Sequence, residues 1–309
     1  MGILLNRCQV AAKIESVEGT AETLVAADAF LVFTPKADPD VDRYKRDPVR
    51  ENLGQLESLP GARSAKLSFT VELAGSGTAG TAPAWGKLMK ACGCSETVVP
   101  STSVTYAPAS SSIPSMTLAM YMDGVIKKIW GARGTFQLVL EKGKPGLINF
   151  TFTGADFSVT DGALLSGVSY TTVKPPVFLG VSFTYDSYAA RIAKLSLDAG
   201  NNLTLADDIT KSSGHFSALI TERDPRISFD PEMVTVATKD FFGQLRGDAG
   251  KALSLSGLGS VAGNRVALSA PKCQIEEVKI AERSGYFALE VQCGAKMSAG
   301  DDEWSLVLT

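Results

Sequence analysis

Histidine is nearly missing from this sequence, since its 309 residues include only His215. A single histidine excludes every multi-histidine metal site and removes most histidine-based acid–base catalysis. The cysteines, which show neither a CxxC pair nor zinc-finger spacing, stand at positions 8, 92, 94, 273 and 293. An odd number of scattered thiols fits reduced, structural cysteines. We therefore expect a protein that is not an enzyme, with no catalytic residue, metal site or cofactor.

Long apolar runs and an excess of positive charge are missing as well. No stretch of 18 apolar residues occurs, and Arg7 and Lys13 interrupt the apolar start, so we expect neither a signal peptide nor a membrane span. Lys and Arg number 30 against 33 Asp and Glu, which gives a net charge of −3. A protein that grips DNA by neutralising phosphates carries a basic excess instead. We expect a soluble protein made in the cytoplasm, without specific DNA binding.

What the sequence does contain is a series of short segments in which apolar and polar residues alternate. These segments are rich in β-branched and aromatic residues and are separated by Gly, Pro, Asp or Asn, which is typical of all-β proteins. The clearest segments are 66–73, 116–122, 135–140, 148–153, 181–185, 193–197, 286–292 and 304–308. Asp123-Gly124 lies between two apolar runs and predicts a tight hairpin turn.

Only two segments have helical character, and we expect one short helix in each half of the chain. The first is 83–91, with Pro83 in its first turn; the second is 238–246, with Thr238 as the N-cap. Apolar residues at helical spacing predict that each helix packs on the β-sheet of its own domain. The residues expected to make this contact are Trp85, Leu88, Met89, Phe241, Phe242 and Leu245.

Residues 36–52 form the most highly charged segment, with ten charges in 17 positions. This density predicts a long solvated loop or an extended arm, which is either a mobile surface feature or a contact to another subunit. The candidate contact residues are Asp38, Asp40, Asp42, Arg43, Lys45, Arg46 and Arg50. The aspartates resemble the start of a calcium loop, but that loop needs Gly and Glu where Arg43 and Val49 stand.

The two halves of the sequence resemble each other. Residues 63–69 match 223–229 at an offset of 160, and the predicted helices and an Ala-Pro pair follow in the same order. The Gly-, Ser- and Thr-rich segment 160–176 resembles a linker. We therefore place two domains at 1–170 and 171–309, related by an internal duplication.

Three other features are weak candidates for chemistry. Residues 75–80 spell GxGxxG, but the sequence around them lacks the βαβ context of a dinucleotide site, so we expect a flexible connector. His215 has no nucleophile-elbow sequence and is expected at a surface or an interface. Cys92 and Cys94 cannot complete a tetrahedral metal site and are expected to be structural thiols at a helix end.

The glycine-rich segment and several strands together resemble a known family. The segments that carry the resemblance are 72–86, 90–93, 121–125, 131–135 and 150–154. They are similar to the tail tube (major tail) proteins of long-tailed bacteriophages and prophages, from about residue 14 to the end of the chain.

This resemblance implies an all-β fold of two tandem β-sandwich domains, each with a flanking helix, whose sheets join between subunits into a β-barrel ring. Rings stack into a tail tube through which DNA passes without specific binding, and a long loop bridges stacked rings. With two domains in each chain, three chains would make a pseudo-sixfold ring. The implied partners are further copies and the tape measure, tail terminator and distal tail proteins. The implied location is the virion tail, assembled in the cytoplasm of a bacterial host.

Two alternatives remain open at this point. The chain resembles a tail component in general, so a baseplate, tail-tip or receptor-binding protein, or the tube of a contractile tail or tail-like bacteriocin, is also compatible with the sequence. A carbohydrate-processing enzyme on a β-sandwich would need convergent carboxylates or a metal cluster, and the sequence offers neither pattern.

Overall fold

Strands dominate the part of the chain that the structure, a computed structural model, describes: Leu4 and residues 7–309. In the first half they are β1 (Cys8–Ile14), β2 (Ala29–Phe30), β3 (Phe33–Tyr44), β4 (Leu59–Glu72), β5 (Cys94–Val99), β6 (Ser103–Pro108), β7 (Met116–Met122), β8 (Gly124–Glu141), β9 (Leu147–Gly154) and β10 (Asp156–Gly162). In the second half they are β11 (Ser182–Tyr185), β12 (Lys194–Asp198), β13 (Asn201–Asp207), β14 (His215–Arg223), β15 (Arg226–Phe229), β16 (Lys251–Leu258), β17 (Val266–Arg283), β18 (Tyr286–Ala295) and β19 (Ser305–Leu308). The predicted all-β class is confirmed, and the turn at Asp123-Gly124 joins β7 to β8 as expected.

One continuous layer of antiparallel strands runs through both halves, and we call it the long layer. Its order is β3-β4-β9-β8 in the first half, followed by β12-β15-β18-β17 in the second. The pairing of β8 with β12 joins the two halves. Each half therefore contributes a block of four strands. The last strand of the first block pairs with the first strand of the second block, so the two blocks are joined head to tail.

A second layer covers one face of the long layer, and it also contains strands from both halves. Its order is β5-β6-β19-β17-β16-β11, and the pairing of β6 with β19 crosses between the halves. The inward residues of both layers belong to one hydrophobic cluster. Burial of this shared apolar surface is the main source of stability. The halves therefore share one core.

Two long strands each serve more than one set of neighbours. The first part of β8 pairs with β7 and β10, beside β1 and β2, whereas its second part joins the long layer. Gly131 lies between these parts with φ +58°, a left-handed conformation that L side chains rarely adopt, and an added Cβ would lie 3.1 Å from the carbonyl oxygen of Phe216. Likewise, β17 starts in the second layer and ends in the long layer.

Each half also contains a long hairpin. The first hairpin is β3 with β4, and the segment 45–58 at its tip has no regular structure. The charged segment, predicted as a solvated loop or an extended arm, is therefore partly strand, because residues 36–44 belong to β3, which pairs with β4. The second hairpin is formed by β12 and β13 with β14 and β15, and residues 208–214 form its tip.

The two helices are shorter than expected. They are α1 (Gly86–Ala91) and α2 (Phe241–Leu245), together with a short 3₁₀ turn at 26–28. The N-cap of α2 is Asp240, whose carboxylate accepts the N–H of Gly243 at 2.6 Å, so the expected Thr238 cap was wrong. A carboxylate at this position satisfies an amide that the helix leaves unpaired.

Candidate assembly interface

The seam between the two strand blocks shows how such blocks join. Strands β8 and β12 pair in register from Gln137 opposite Asp198 to Glu141 opposite Lys194. Leu138 faces Leu197 in this register, and both are buried. On the opposite side of the core, β19 pairs with β6 from Leu306 opposite Tyr106 to Leu308 opposite Val104. The edges of both blocks are thus satisfied by backbone hydrogen bonds from the other half.

The distal part of the second hairpin, β13 and β14, folds across the seam onto the first half. Arg133, whose side chain is only 8% exposed, holds it there. The guanidinium donates to the carbonyl of Ala218 at 2.6 Å, to the carbonyl of Ile113 at 2.7 Å and to the carboxylate of Glu18 at 2.7 Å. Ser217 donates to the same Glu18 carboxylate at 2.6 Å. One buried arginine therefore ties three segments together.

Two further arginines secure the hairpin at its ends. Arg63 on β4 forms a two-point ion pair with Asp156, at 2.7 and 3.2 Å, and its backbone N–H donates to the carbonyl of Ser213 at the hairpin tip. Arg223 on β14 donates to Glu303 at 2.9 Å and also contacts Asp301. Planar guanidinium groups favour such two-point contacts with carboxylates.

The GxGxxG segment is not the flexible connector that the sequence predicted, because it is fixed against the second half. The N–H of Gly75 donates to the side-chain oxygen of Asn264 at 2.7 Å, and the amide of Asn264 donates to the carbonyl of Lys174 at 2.8 Å. A Cβ on Gly75 would lie 1.9 Å from the carbonyl oxygen of Gly263. The glycine is needed for close backbone approach.

We expect Asn264→Ala to lower the free energy of unfolding by about 1–3 kcal/mol, because it leaves a buried N–H and a carbonyl without partners. Asn264 is 6% exposed, so water cannot replace these bonds readily. Urea denaturation of both proteins measures the difference. Asn202→Ala, at an exposed position on β13, is the matched control and should cost far less. Equal losses in the two variants would argue against this bridge.

Acid should weaken the attachment of the second hairpin. Burial tends to raise the pKa of the Glu18 carboxyl, but hydrogen bonds from Arg133 and Ser217 outweigh it and hold that pKa below its usual 4.5. Because the pKa is lower in the folded state, the stabilisation is present above about pH 4.5 and is lost as the pH falls through the folded value. We expect Glu18→Gln to lower the melting temperature at pH 7, and this difference to shrink as the pH falls below about 4.5. A constant difference across this range would contradict the assignment.

The residues predicted to anchor the helices lie mostly in the core. Trp85, Leu88 and Met89 of the first half and Phe241 of the second are buried, whereas Phe242 and Leu245 are partly buried against the same cluster. The indole N–H of Trp85 donates to the carbonyl of Ala74 at 2.8 Å. Contacts of both helices with strands of the core fix their positions.

The candidate arm residues lie along the first hairpin and its tip. Asp38, Asp40, Asp42 and Arg43 are exposed on β3, and Lys45, Arg46 and Arg50 follow in the tip. The neighbouring charges pair locally, as Lys36 does with Asp38 at 2.7 Å and Lys45 does with Asp47 at 3.0 Å. Exposed pairs of this kind contribute little stability, so these charges are available for contacts.

The weak candidates for chemistry are not brought together. His215 lies on β14 with its ring nitrogen 3.3 Å from Asp207. Cys92 and Cys94 are buried next to α1, and burial raises the pKa of both thiols. Among the described residues, no group of three or more His, Cys, Asp or Glu side chains could hold a metal ion. Neither α1 nor α2, the two helices of the described part, is long and apolar enough to cross a membrane.

Sequence reasoning did not identify the residues that hold the seam together. Arg133, Glu18, Arg63 and Asn264 each join segments far apart in the chain, and no local pattern marks them. The local signal for Arg133 is the Gly-Ala-Arg-Gly-Thr run at 131–135. A charged residue between two glycines in a strand indicates a close approach of another segment.

A comparison of the sequence with known protein families gives a match. A family model described as phage tail tube protein matches residues 6–279, which is most of the chain. A comparison with curated proteins returned no match. From the extent of the family match, the chain belongs to the phage tail tube protein family.

Proposed function

We propose that this protein is the structural subunit of a phage tail tube, that three copies close into a ring, and that stacked rings form a channel for DNA. The single observation that carries the proposal is the pairing of two four-strand blocks within one chain. Six such blocks, from three chains, would close a barrel by repeating the same head-to-tail contact.

The internal duplication predicted from the sequence is consistent with this ring. The matched segments 63–69 and 223–229 lie on β4, at the base of β14 and on β15, and β4 and β15 hold the second place in their blocks. Strand edges left unpaired are a liability for a lone chain, and a closed ring removes them. The two domains are then repeats that share one core and add up to a third of a ring.

The face of the long layer that points away from the core would line the channel. It is dominated by short polar side chains: Ser68, Thr70, Asn149, Thr151, Thr153, Thr135, Gln137, Ser196, Ser228 and Gln292. Charges of both signs accompany them, including Lys66, Lys194, Glu141 and Glu290. A mildly acidic protein with such a mixed polar face offers phosphates no continuous basic track. DNA would therefore slide through without being held.

The tip of the first hairpin, residues 45–58, would contact the next ring in the stack. This segment is exposed and charged and projects beyond the paired strands. We expect that replacing 45–58 with an Asn-Gly turn leaves a folded protein that no longer polymerises into tubes. Residues 38–44 should be kept, because they pair with β4. Circular dichroism checks the fold, and negative-stain microscopy counts tubes.

A matched control makes the same kind of change outside the segment: Val236→Ser and Val261→Ser, both exposed and outside the strands and helices, should leave tube length unchanged. Normal tubes from the shortened protein would remove the stacking role from this segment. Negative-stain microscopy of the unaltered protein tests the proposed function itself. Rings and tubes are expected, and monodisperse particles under all assembly conditions would contradict it.

Other tail proteins would meet the tube at its ends and inside it. The tape measure, tail terminator and distal tail proteins are the proposed partners, and the proposed location is the virion tail after assembly in the cytoplasm of a bacterial host. A baseplate, tail-tip or receptor-binding role, or the tube of a tail-like bacteriocin, is the alternative. In a baseplate, tail-tip or receptor-binding protein, the same edge pairing would form a single ring that does not stack. In a bacteriocin tube, the rings would stack but no DNA would pass through them.

A further inference from the structure

The two ends of the long layer are unpaired in the described part of the chain. Strand β3 pairs with β4 alone, and residues 277–283 of β17 pair with β18 alone. Each edge therefore has a row of backbone groups that face away from the sheet. Such edges are templates for pairing with another strand.

The seam within the chain supplies a template for how these edges would meet. In the first block, β8 is the last strand, and Leu138 on it faces Ile148 on β9, which in turn faces Val71 on β4. Across the seam, Leu138 faces Leu197 on β12. Leu138 is 1% exposed because β12 and the core cover it.

The counterpart of Leu138 in the second block is Ile280. Ile280 faces Leu289 on β18, as Leu138 faces Ile148 on β9. The N–H of Leu289 donates to the carbonyl of Pro231. Pro231 corresponds to Val71, because the two positions differ by the same offset of 160. Ile280 is 60% exposed, although it occupies the position at which Leu138 is covered. The difference arises because no strand of the described chain lies beyond β17 at this point.

The counterpart of Leu197 at the other end is Ala37. Leu197 faces Ile227 on β15, and Ala37 faces Leu67 on β4, so both pairs are related by the same offset. Ala37 is partly buried and packs against the core. A larger apolar residue placed beside it would extend the core across the edge.

We infer that β17 of one copy pairs antiparallel with β3 of a second copy, with Ile280 opposite Ala37. The neighbouring pairs are then Lys279 opposite Asp38 and Ala281 opposite Lys36. This register rests on the proposed function, and it specifies the contact that closes the ring. One charge pair supports it, because Lys279 and Asp38 are both exposed and of opposite sign. The same register sets Glu277 opposite Asp40, and Lys279, which contacts Glu277 at 2.7 Å, lies beside this like-charged pair.

Within one chain, the side chain of Lys127 contacts the unpaired edge of β3. The ammonium group of Lys127 lies 3.3 Å from the carbonyl oxygen of Ala37, which is the position that the second copy would pair with. Lysine is commonly used to protect exposed strand edges. Pairing with the second copy would replace this contact.

A pair of engineered cysteines tests the register. In the double variant Lys36→Cys with Ala281→Cys, the two thiols of neighbouring copies would meet across the seam and close a disulfide on mild oxidation of assembled protein. The matched positive control is Val139→Cys with Ser196→Cys, which places the same pair within one chain. The negative control is Asp40→Cys with Ala281→Cys, because four residues along a strand move the thiol by about 13 Å.

Non-reducing gels should show dimers and trimers for Lys36→Cys with Ala281→Cys, and no larger species. Both controls should run as monomers. In the positive control the disulfide forms within one chain, so it does not link copies. Rings that form while Lys36→Cys with Ala281→Cys stays monomeric would overturn the register and leave the proposed function standing. Bands for the Asp40→Cys pair instead would also overturn it. A ladder that reaches six would support the register and contradict the ring of three. Absence of rings from the unaltered protein would contradict the proposed function itself.

Discussion

Ile280→Asp is expected to abolish ring and tube formation while leaving the chain folded. The residue is 60% exposed in the lone chain, so the substitution should change the free energy of unfolding by roughly 0.5 kcal/mol. In the ring, the new carboxylate would be buried at the apolar contact with Ala37 of the next copy. An unpaired buried charge costs several kcal/mol, and each ring would contain three such contacts.

Size-exclusion chromatography and negative-stain microscopy measure the effect, and circular dichroism verifies the fold. Val261→Asp is the matched control, because Val261 is also β-branched and 60% exposed but lies in a loop away from both edges. The control should assemble as the unaltered protein does. Tubes of normal abundance from Ile280→Asp would show that β17 does not meet another copy at this edge.

Arg133→Met is expected to produce the largest loss of stability among single substitutions at the seam, on the order of 3 kcal/mol or more. Methionine fills much of the arginine volume but donates no hydrogen bonds. The carbonyls of Ile113 and Ala218 would lose their donor, and Glu18 would lose its cation. The second hairpin should then detach from the first half more often.

Urea denaturation gives the free energy of unfolding, and hydrogen exchange at residues 215–221 reports on the hairpin itself. Arg133→Lys is the graded control, because a lysine keeps the charge but cannot bridge three acceptors in a plane. Its free energy of unfolding should lie between those of the unaltered protein and Arg133→Met. A loss below about 1 kcal/mol in Arg133→Met, with unchanged exchange on β14, would contradict the role given to this arginine.

The sequence predicted the strands that are buried on at least one face, and it missed the largely exposed strand β3. The segments 116–122 and 148–153 alternate or are strongly apolar, and both are strands in the structure. In strand β3 the charged residues Lys36, Asp38, Asp40 and Asp42 alternate with Ala37, Pro39 and Val41, but the charge density and the prolines of this segment are typical of a loop. The last residues of β17 are similarly polar because they form an edge. Hydrophobic periodicity in a sequence reflects which residues are buried in the chain. It therefore predicts secondary structure poorly in strands that only a second copy would bury.

The site was harder to predict than the fold. The helix anchors follow from helical spacing, and four of the six lie fully in the core. Arg133 and Asn264 act through contacts between segments more than 80 residues apart, which no window of sequence contains. The seam register likewise depends on which strand edges meet, and that becomes visible only when the order of both blocks is known.

The claim on which the account depends is that two blocks in each chain make a third of a ring. Native mass spectrometry of rings released from the assembled tube measures this directly. The account predicts a mass of three times the 32.5 kDa of one chain. A ring of six times that mass would contradict it. A protein that stays monomeric under all assembly conditions would also contradict it.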